Sequence, residues 1–243
     1  KVPQKMMSEQ ERFRTRNPLT GIREGFSYLL DNRQVLRPAL AKGTMTACLG
    51  ALVYLLIIVA EDILMMGSIG LGLLYAARGI GTGFGPVAGR RIFTSERSWI
   101  RAMGLCMMFC GTFYFLLGQS ETLVWMVLFV TIAHMASGTN WVMSTVLLQR
   151  RAPDTFRGRA FSLEWLLFTL SQSISVTTAS LILEYNLLTV QQTITLFAVI
   201  LVCLGGLWLF RIVPGEESYH LRRQEVAGEG RRVPVQRGRA RTG

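Results

Sequence analysis

The sequence predicts an all-α membrane protein, with six transmembrane helices forming one bundle. Three observations carry that prediction. Six long, nearly uncharged apolar runs divide the 243 residues. Of the 26 Lys and Arg residues, all but Arg78 fall in four stretches outside those runs, at residues 1–42, 90–101, 150–159 and 211–243. The other three connections carry Glu61 and Asp62, Glu121, and Glu184, with no Lys or Arg. Short basic loops stay on the cytoplasmic side during insertion, so the alternation orders six crossings. It places both termini in the cytoplasm, as expected of a multi-pass protein of the plasma (inner) membrane.

A backbone in lipid must satisfy its own hydrogen bonds, which helices do. A β-barrel would need alternating apolar and polar residues, and stretches such as ALVYLLIIVA and LFAVILVCLGGLWLF do not alternate. The spans are expected at residues 43–60, 66–89, 102–119, 122–149, 160–183 and 187–210. Each is long enough to cross a hydrocarbon core of ~30 Å at roughly 1.5 Å per residue. The six-helix bundle then occupies residues 43–212, between a cytoplasmic linker over 1–42 and a disordered basic tail over 213–243. The formal charge of +11 reads as the inside charge of a membrane protein. Its expected partner is anionic membrane lipid, not nucleic acid.

Within the linker, Asn17 before Pro18 has the form of a helix start. Ile22, Phe26, Leu29 and Leu30 follow at helical spacing, giving either a helix lying on the membrane surface or a solvent-facing linker helix. The chain opens with Lys1, and residues 1–42 lack the apolar core of a signal peptide. This is the expectation for a piece of a longer protein.

The second span holds eight glycines, with Gly79 and Gly83, Gly81 and Gly85, and Gly85 and Gly89 each four residues apart. Such a stripe lets a neighbouring helix approach until backbones touch. It serves either tight packing or a face that slides during a conformational cycle. Pro86 removes one backbone hydrogen bond and is expected to bend the helix. No phosphate-binding GxxxxGK[ST] is present.

Arg78 lies near mid-membrane, where a lone Arg costs ~2.5 to 3.5 kcal/mol on insertion scales. Its candidate partners are Glu164 in the fifth span and Asp62 at the outer end of the first. Either an interhelical ion pair or a place on a substrate or proton pathway accounts for it. The fourth span carries His134, then Thr139 and Asn140. His134 reads either as a hydrogen-bonded packing residue or as a proton carrier. In the fifth span Ser171, Gln172, Ser173, Ser175, Thr177 and Thr178 suit interhelical glue or the wall of a hydrated cavity. Arg78, His134, Asn140, Glu164 and Gln172 are the candidates for substrate binding or coupling.

Cys48, Cys106, Cys110 and Cys203 all sit in apolar runs without metal or redox spacing, so no disulfide, metal site or cofactor is expected. There is no HExxH motif, no nucleophile with His and acid on one face, and no paired carboxylates inside a span. An enzyme is therefore not expected.

Residues 138–165, GTNWVMSTVLLQRRAPDTFRGRAFSLEW, resemble the tenth helix, following cytoplasmic loop and eleventh helix of major facilitator superfamily transporters. The likeness is closest to the drug and macrolide efflux branch that includes the enterobactin exporter. Its core is Pro153, Asp154, Arg157, Gly158 and Arg159. Residues 73–91, LLYAARGIGTGFGPVAGRR, are similar to that branch's eighth helix and the basic turn after it. The turn Gly89, Arg90, Arg91 has no acidic residue before it, unlike the superfamily's strongest loop signature. The resemblance implies the C-terminal half of a two-bundle secondary transporter, in which substrate sits between bundles that rock to alternate access. It further implies proton-coupled efflux of a small amphipathic compound. An N-terminal six-helix half, in the same chain, a separate chain or a second copy, would supply the missing wall. The alternative is a non-transporting six-helix scaffold that uses the loops Arg90 to Arg101 and Arg150 to Arg159 for cytoplasmic partners.

Overall fold

The computed structural model describes Ser27 and residues 31–216. The expected surface helix, apart from Ser27, and the basic tail beyond Glu216 lie outside the described residues. Among the described residues six long helices follow one another: α1 Arg33–Ile58, α2 Gly67–Ile92, α3 Glu96–Gly118, α4 Leu123–Arg151, α5 Asp154–Glu184 and α6 Val190–Leu207. Turns of π-helix extend α1 over Val59–Ile63 and α6 over Trp208–Ile212. Among the described residues there is no strand.

Five of the six helical segments are long and apolar enough to cross a membrane. The exception is α2, equal to α1 at 26 residues, whose glycines and Arg78 dilute its apolar content. The chain thus has the helices of a membrane protein. Its expected spans correspond one to one with the six helices, although the boundaries differ.

Local chemistry explains several boundaries. The Ser98 N–H donates to Ser95 Oγ and starts α3. Thr189 and Gln192 form a reciprocal capping box that starts α6. Between α1 and α2 the chain reverses through Met65 and Gly67, both with φ near +50°. Asn186, also left-handed, turns the chain after α5, a conformation that Asn tolerates better than most residues.

Three expected boundaries are corrected. Residues 33–42, placed in the linker, belong to α1, where Val35, Pro38, Ala39, Ala41 and Lys42 are buried. The charges that looked like loop residues are paired instead, Arg37 with Glu216 and Lys42 with Glu164. At the other end, helix continues through Pro214 to Glu216, past the expected start of the tail. Finally, the basic loop after α4 shrinks to Ala152 and Pro153, with Asp154, Arg157, Gly158 and Arg159 in the first turns of α5. Asp154 and Arg157 pair there at 2.6 Å.

The bundle is built from three close helix pairs: α1 with α5, α2 with α4, and α3 with α6. Each pair closes over small residues. A methyl added at Gly81, Gly85 or Gly89 would run into Thr131, Met135 or Thr139 of α4, and one at Gly138 would meet Thr82 of α2. Gly104, Gly111 and Gly118 do the same against Trp208 and Leu209, Ala198 and Val202, and Gln191 and Thr195. Gly50 abuts Gln172. Lipid tails are as apolar as Leu, so intimate van der Waals contact, not solvent exclusion, holds such pairs together. Gly79 and Gly83 have open space where a side chain would stand, so only one edge of the predicted stripe is packed.

Ion pairs gather the arginine-bearing ends on one side. Arg37 of α1 and Arg151 of α4 both bind the buried carboxylate of Glu216, the latter at 2.5 Å. Arg151 also donates to the Gln34 carbonyl at 3.1 Å, and Arg150 pairs with Glu96. At the opposite end Gln119 Nε2 donates to Thr195 Oγ1 at 3.0 Å.

Candidate functional site

Four helices present stripes of residues, mostly three or four apart, to a shared cavity of about 300 Å³. Lys42, Thr46 and Gly50 come from α1, Arg78 and Thr82 from α2, His134, Ser137 and Trp141 from α4, and Phe168 and Gln172 from α5. Residues four apart share a helix face, so the spacing itself aims them together. Measured along the helices at ~1.5 Å per residue, Lys42 and Glu164 lie about 14 to 15 Å from the arginine-bearing end, and Arg78 about 21 Å. The cavity therefore sits in the middle part of the helices.

Of the five candidate residues, Arg78, His134, Asn140 and Gln172 all line this cavity. Glu164 joins it through a residue that sequence reasoning assigned to the linker. Lys42 Nζ lies 2.6 Å from Glu164 Oε1, and both side chains are almost wholly buried. The contact is an ion pair at close range. Lys42 also donates to Thr145 Oγ1 at 2.8 Å and stands 4.1 Å over the Trp141 ring. Glu164 is therefore the partner of Lys42 and not of Arg78.

Arg78 finds neither expected carboxylate within ion-pair distance; its guanidinium lies 5.4 Å from the centroid of the Tyr75 ring. His134 is 1% exposed, with Nε2 2.8 Å from the Tyr114 hydroxyl and Nδ1 3.1 Å from Ser137 Oγ. Neutral imidazole has one donor and one acceptor nitrogen, and two hydroxyls can meet both needs. Asn140 is 2% exposed; its Nδ2 reaches the Met45 sulfur at 3.0 Å, and its Oδ1 has no partner. Next to it Trp141, Trp165 and Phe168 form an edge-to-face cluster with centroids 5.1 to 6.0 Å apart.

The polar run of α5 divides between roles. Ser175 Oγ accepts a hydrogen bond from the Ala51 backbone N–H at 2.9 Å, tying α5 to α1, whereas Ser173, Thr177 and Thr178 are exposed. The remaining motif residues lie elsewhere. Arg90, Arg91 and Pro86 line a separate groove of about 900 Å³ at the arginine-bearing end, with Glu96, Trp99 and Arg150.

Sequence reasoning missed Lys42 and Trp141. A signal existed for Lys42, since Lys42, Thr46 and Gly50 form a polar and small stripe that continues the first apolar run. No metal-binding cluster of His, Cys, Asp and Glu occurs among the described residues. Compared with known protein families, curated proteins and solved structures, the chain shows no match.

Proposed function

We propose that this chain is the C-terminal six-helix half of a secondary active transporter of the major facilitator type. In this reading it exports a small amphipathic compound across the plasma (inner) membrane in exchange for protons, with its arginine-bearing end in the cytoplasm. One observation carries the proposal: polar and charged residues from four helices line a single cavity in the middle part of those helices. Ionisable groups there are costly and are kept where they pair, bind or conduct. A closed structural bundle would fill that space.

The flanks of the cavity support a second bundle. Ile69, Leu73, Ile80, Phe84 and Val87 of α2 and Trp165, Leu166, Leu170 and Ile174 of α5 are exposed. Both helices border the cavity, so a second six-helix half, or a second copy, laid across them would enclose a substrate between the two. Glu164 is the carboxylate proposed to carry the coupled proton. Protonation there would remove the carboxylate charge and release the Lys42 ammonium towards the cavity, and loss of the proton would draw Lys42 back. The resemblance to the efflux branch adds the direction of transport and the amphipathic character of the cargo.

The competing scaffold reading draws on the packed edge of Gly81, Gly85 and Gly89 and on the satisfied His134. Flux separates the two. Inverted vesicles from cells expressing the natural gene are challenged with a panel of amphipathic fluorescent compounds under an imposed pH gradient. Transport predicts accumulation of at least one compound that a protonophore abolishes. It also predicts that the double variant Lys42→Met, Glu164→Gln, which leaves no lone charge, still folds but loses the dependence on the gradient. No movement of any compound above that of empty vesicles sinks the proposal.

A further inference from the structure

We propose that the cavity takes an amphipathic anion, its charged group held by Arg78 and its apolar body against Trp141 and Phe168. This rests on the reading of the cavity as a binding site for a small molecule. Two cations border the space, Lys42 and Arg78, and no Asp or Glu does. Lys42 is already neutralised by Glu164. Arg78 has no carboxylate within ion-pair distance among the described residues, and the Tyr75 ring that it stands over, 5.4 Å from the centroid, offsets only part of a full charge. A guanidinium lining a cavity between apolar helices draws a counter-ion more strongly than one on an open surface. Its planar fork suits a carboxylate or sulfonate through two parallel hydrogen bonds. A cationic ligand would instead add like charge to a wall that has no free acid.

The rest of the cavity fits the other parts of such a molecule. Trp141 and Phe168 meet edge to face at 5.1 Å and give an angled apolar corner, with the Trp141 ring under Lys42. Asn140, buried at 2% exposure, leaves its Oδ1 without a partner while its Nδ2 meets only a thioether. Whichever way the amide is turned, one polar atom in the wall is left without a strong partner. The volume of about 300 Å³ lined by this chain is at the small end of ordinary binding pockets before a second half adds its own wall.

The test compares three probes of one shape: naphthoate, naphthylmethylammonium and neutral naphthylmethanol. Calorimetry measures their binding to the purified full-length protein in phosphatidylcholine nanodiscs, whose zwitterionic surface carries no net charge. Naphthoate should bind at least about tenfold more tightly than the ammonium, the ratio expected of one desolvated charge contact. Arg78→Gln should abolish that preference, Arg78→Lys should keep most of it, and Arg211→Gln, which removes the same charge outside the cavity, should leave it unchanged. Failure of naphthoate to bind, equal or tighter binding of the ammonium, or unchanged naphthoate affinity in Arg78→Gln overturns the proposal. Naphthoate binding through Arg78 in a protein that moves no compound would retire transport alone. Transport of cations indifferent to Arg78 would retire this inference alone.

Discussion

Lys42 of α1 and Glu164 of α5 meet nitrogen to oxygen at 2.6 Å, with 5% and 2% of their side chains exposed. They stand at nearly the same height on paired helices, and Thr145 and Trp141 of α4 close around the ammonium. Three helices are thereby tied at one point beside the cavity.

Removing one member of this pair should cost more than removing both. Glu164→Leu strands the Lys42 charge among apolar neighbours and is expected to destabilise the bundle by about 3 to 5 kcal/mol, whereas the double variant Lys42→Met, Glu164→Leu should recover most of the loss. Thermal unfolding in detergent of the two single variants and the double variant gives the coupling directly. Additive effects would show that the charges do not depend on each other.

The glycines of α2 offer a comparison with its own control. A methyl at Gly85 collides with the Met135 backbone and one at Gly81 with Thr131, whereas at Gly79 and Gly83 it meets nothing. Gly85→Ala should therefore cost about 1 to 3 kcal/mol by overpacking. Gly79→Ala should gain up to about 1 kcal/mol from helix propensity. Equal melting temperatures for the two variants would contradict the packing of α2 on α4.

How much of this was legible in the sequence follows from the range of each signal. Apolar runs and the placement of Arg are local, so the six helices and the positions of Arg78, His134, Asn140 and Gln172 along them could be read directly. Which residue faces which depends on how each helix is rotated against a neighbour far away in sequence. The partner of Glu164 was thus sought in Arg78 and proved to be Lys42. Lys42 itself was hidden by its proximity to other basic residues, which made a buried charge look like loop charge. The packing glycines of α3 were missed because Gly104, Gly111 and Gly118 recur at seven residues, a spacing that only a close partner such as α6 reveals. Residues 213–216 read as the start of the disordered tail, yet the contacts of Glu216 hold the chain helical through them.

Glu216 is 2% exposed and binds Arg37 and Arg151 from two other helices. Glu216→Ala should leave both guanidinium groups without their carboxylate and loosen the end of α6. The expected loss is about 3 kcal/mol, the lower end for breaking a buried pair because the arginines keep some contact with solvent. Hydrogen exchange should report it locally, with faster exchange over residues 208–216 and little change at the start of α6. Uniform acceleration along the whole of α6 would instead mean that the contact holds the helix and not only its end.

The orientation in the membrane is checked by labelling. Thr94 and Asp154 are exposed at the arginine-bearing end, and Glu121 and Leu187 at the acidic end. Single cysteines at these positions should react with a membrane-impermeant maleimide from opposite sides. Thr94→Cys and Asp154→Cys should label only in inverted vesicles, and Glu121→Cys and Leu187→Cys only in intact cells. The native thiols should not confuse the result, since Cys48, Cys106 and Cys110 are buried and Cys203, though exposed, lies within the apolar length of α6, where a charged reagent does not enter. The expectation follows from charge: translocating Arg90, Arg91, Arg150 and Arg151 would oppose the bias that sets insertion, whereas the acidic connections carry little weight either way. Labelling of Thr94→Cys and Glu121→Cys from the same side would mean that α3 does not cross the bilayer, and the alternation on which the six-span reading depends would fail.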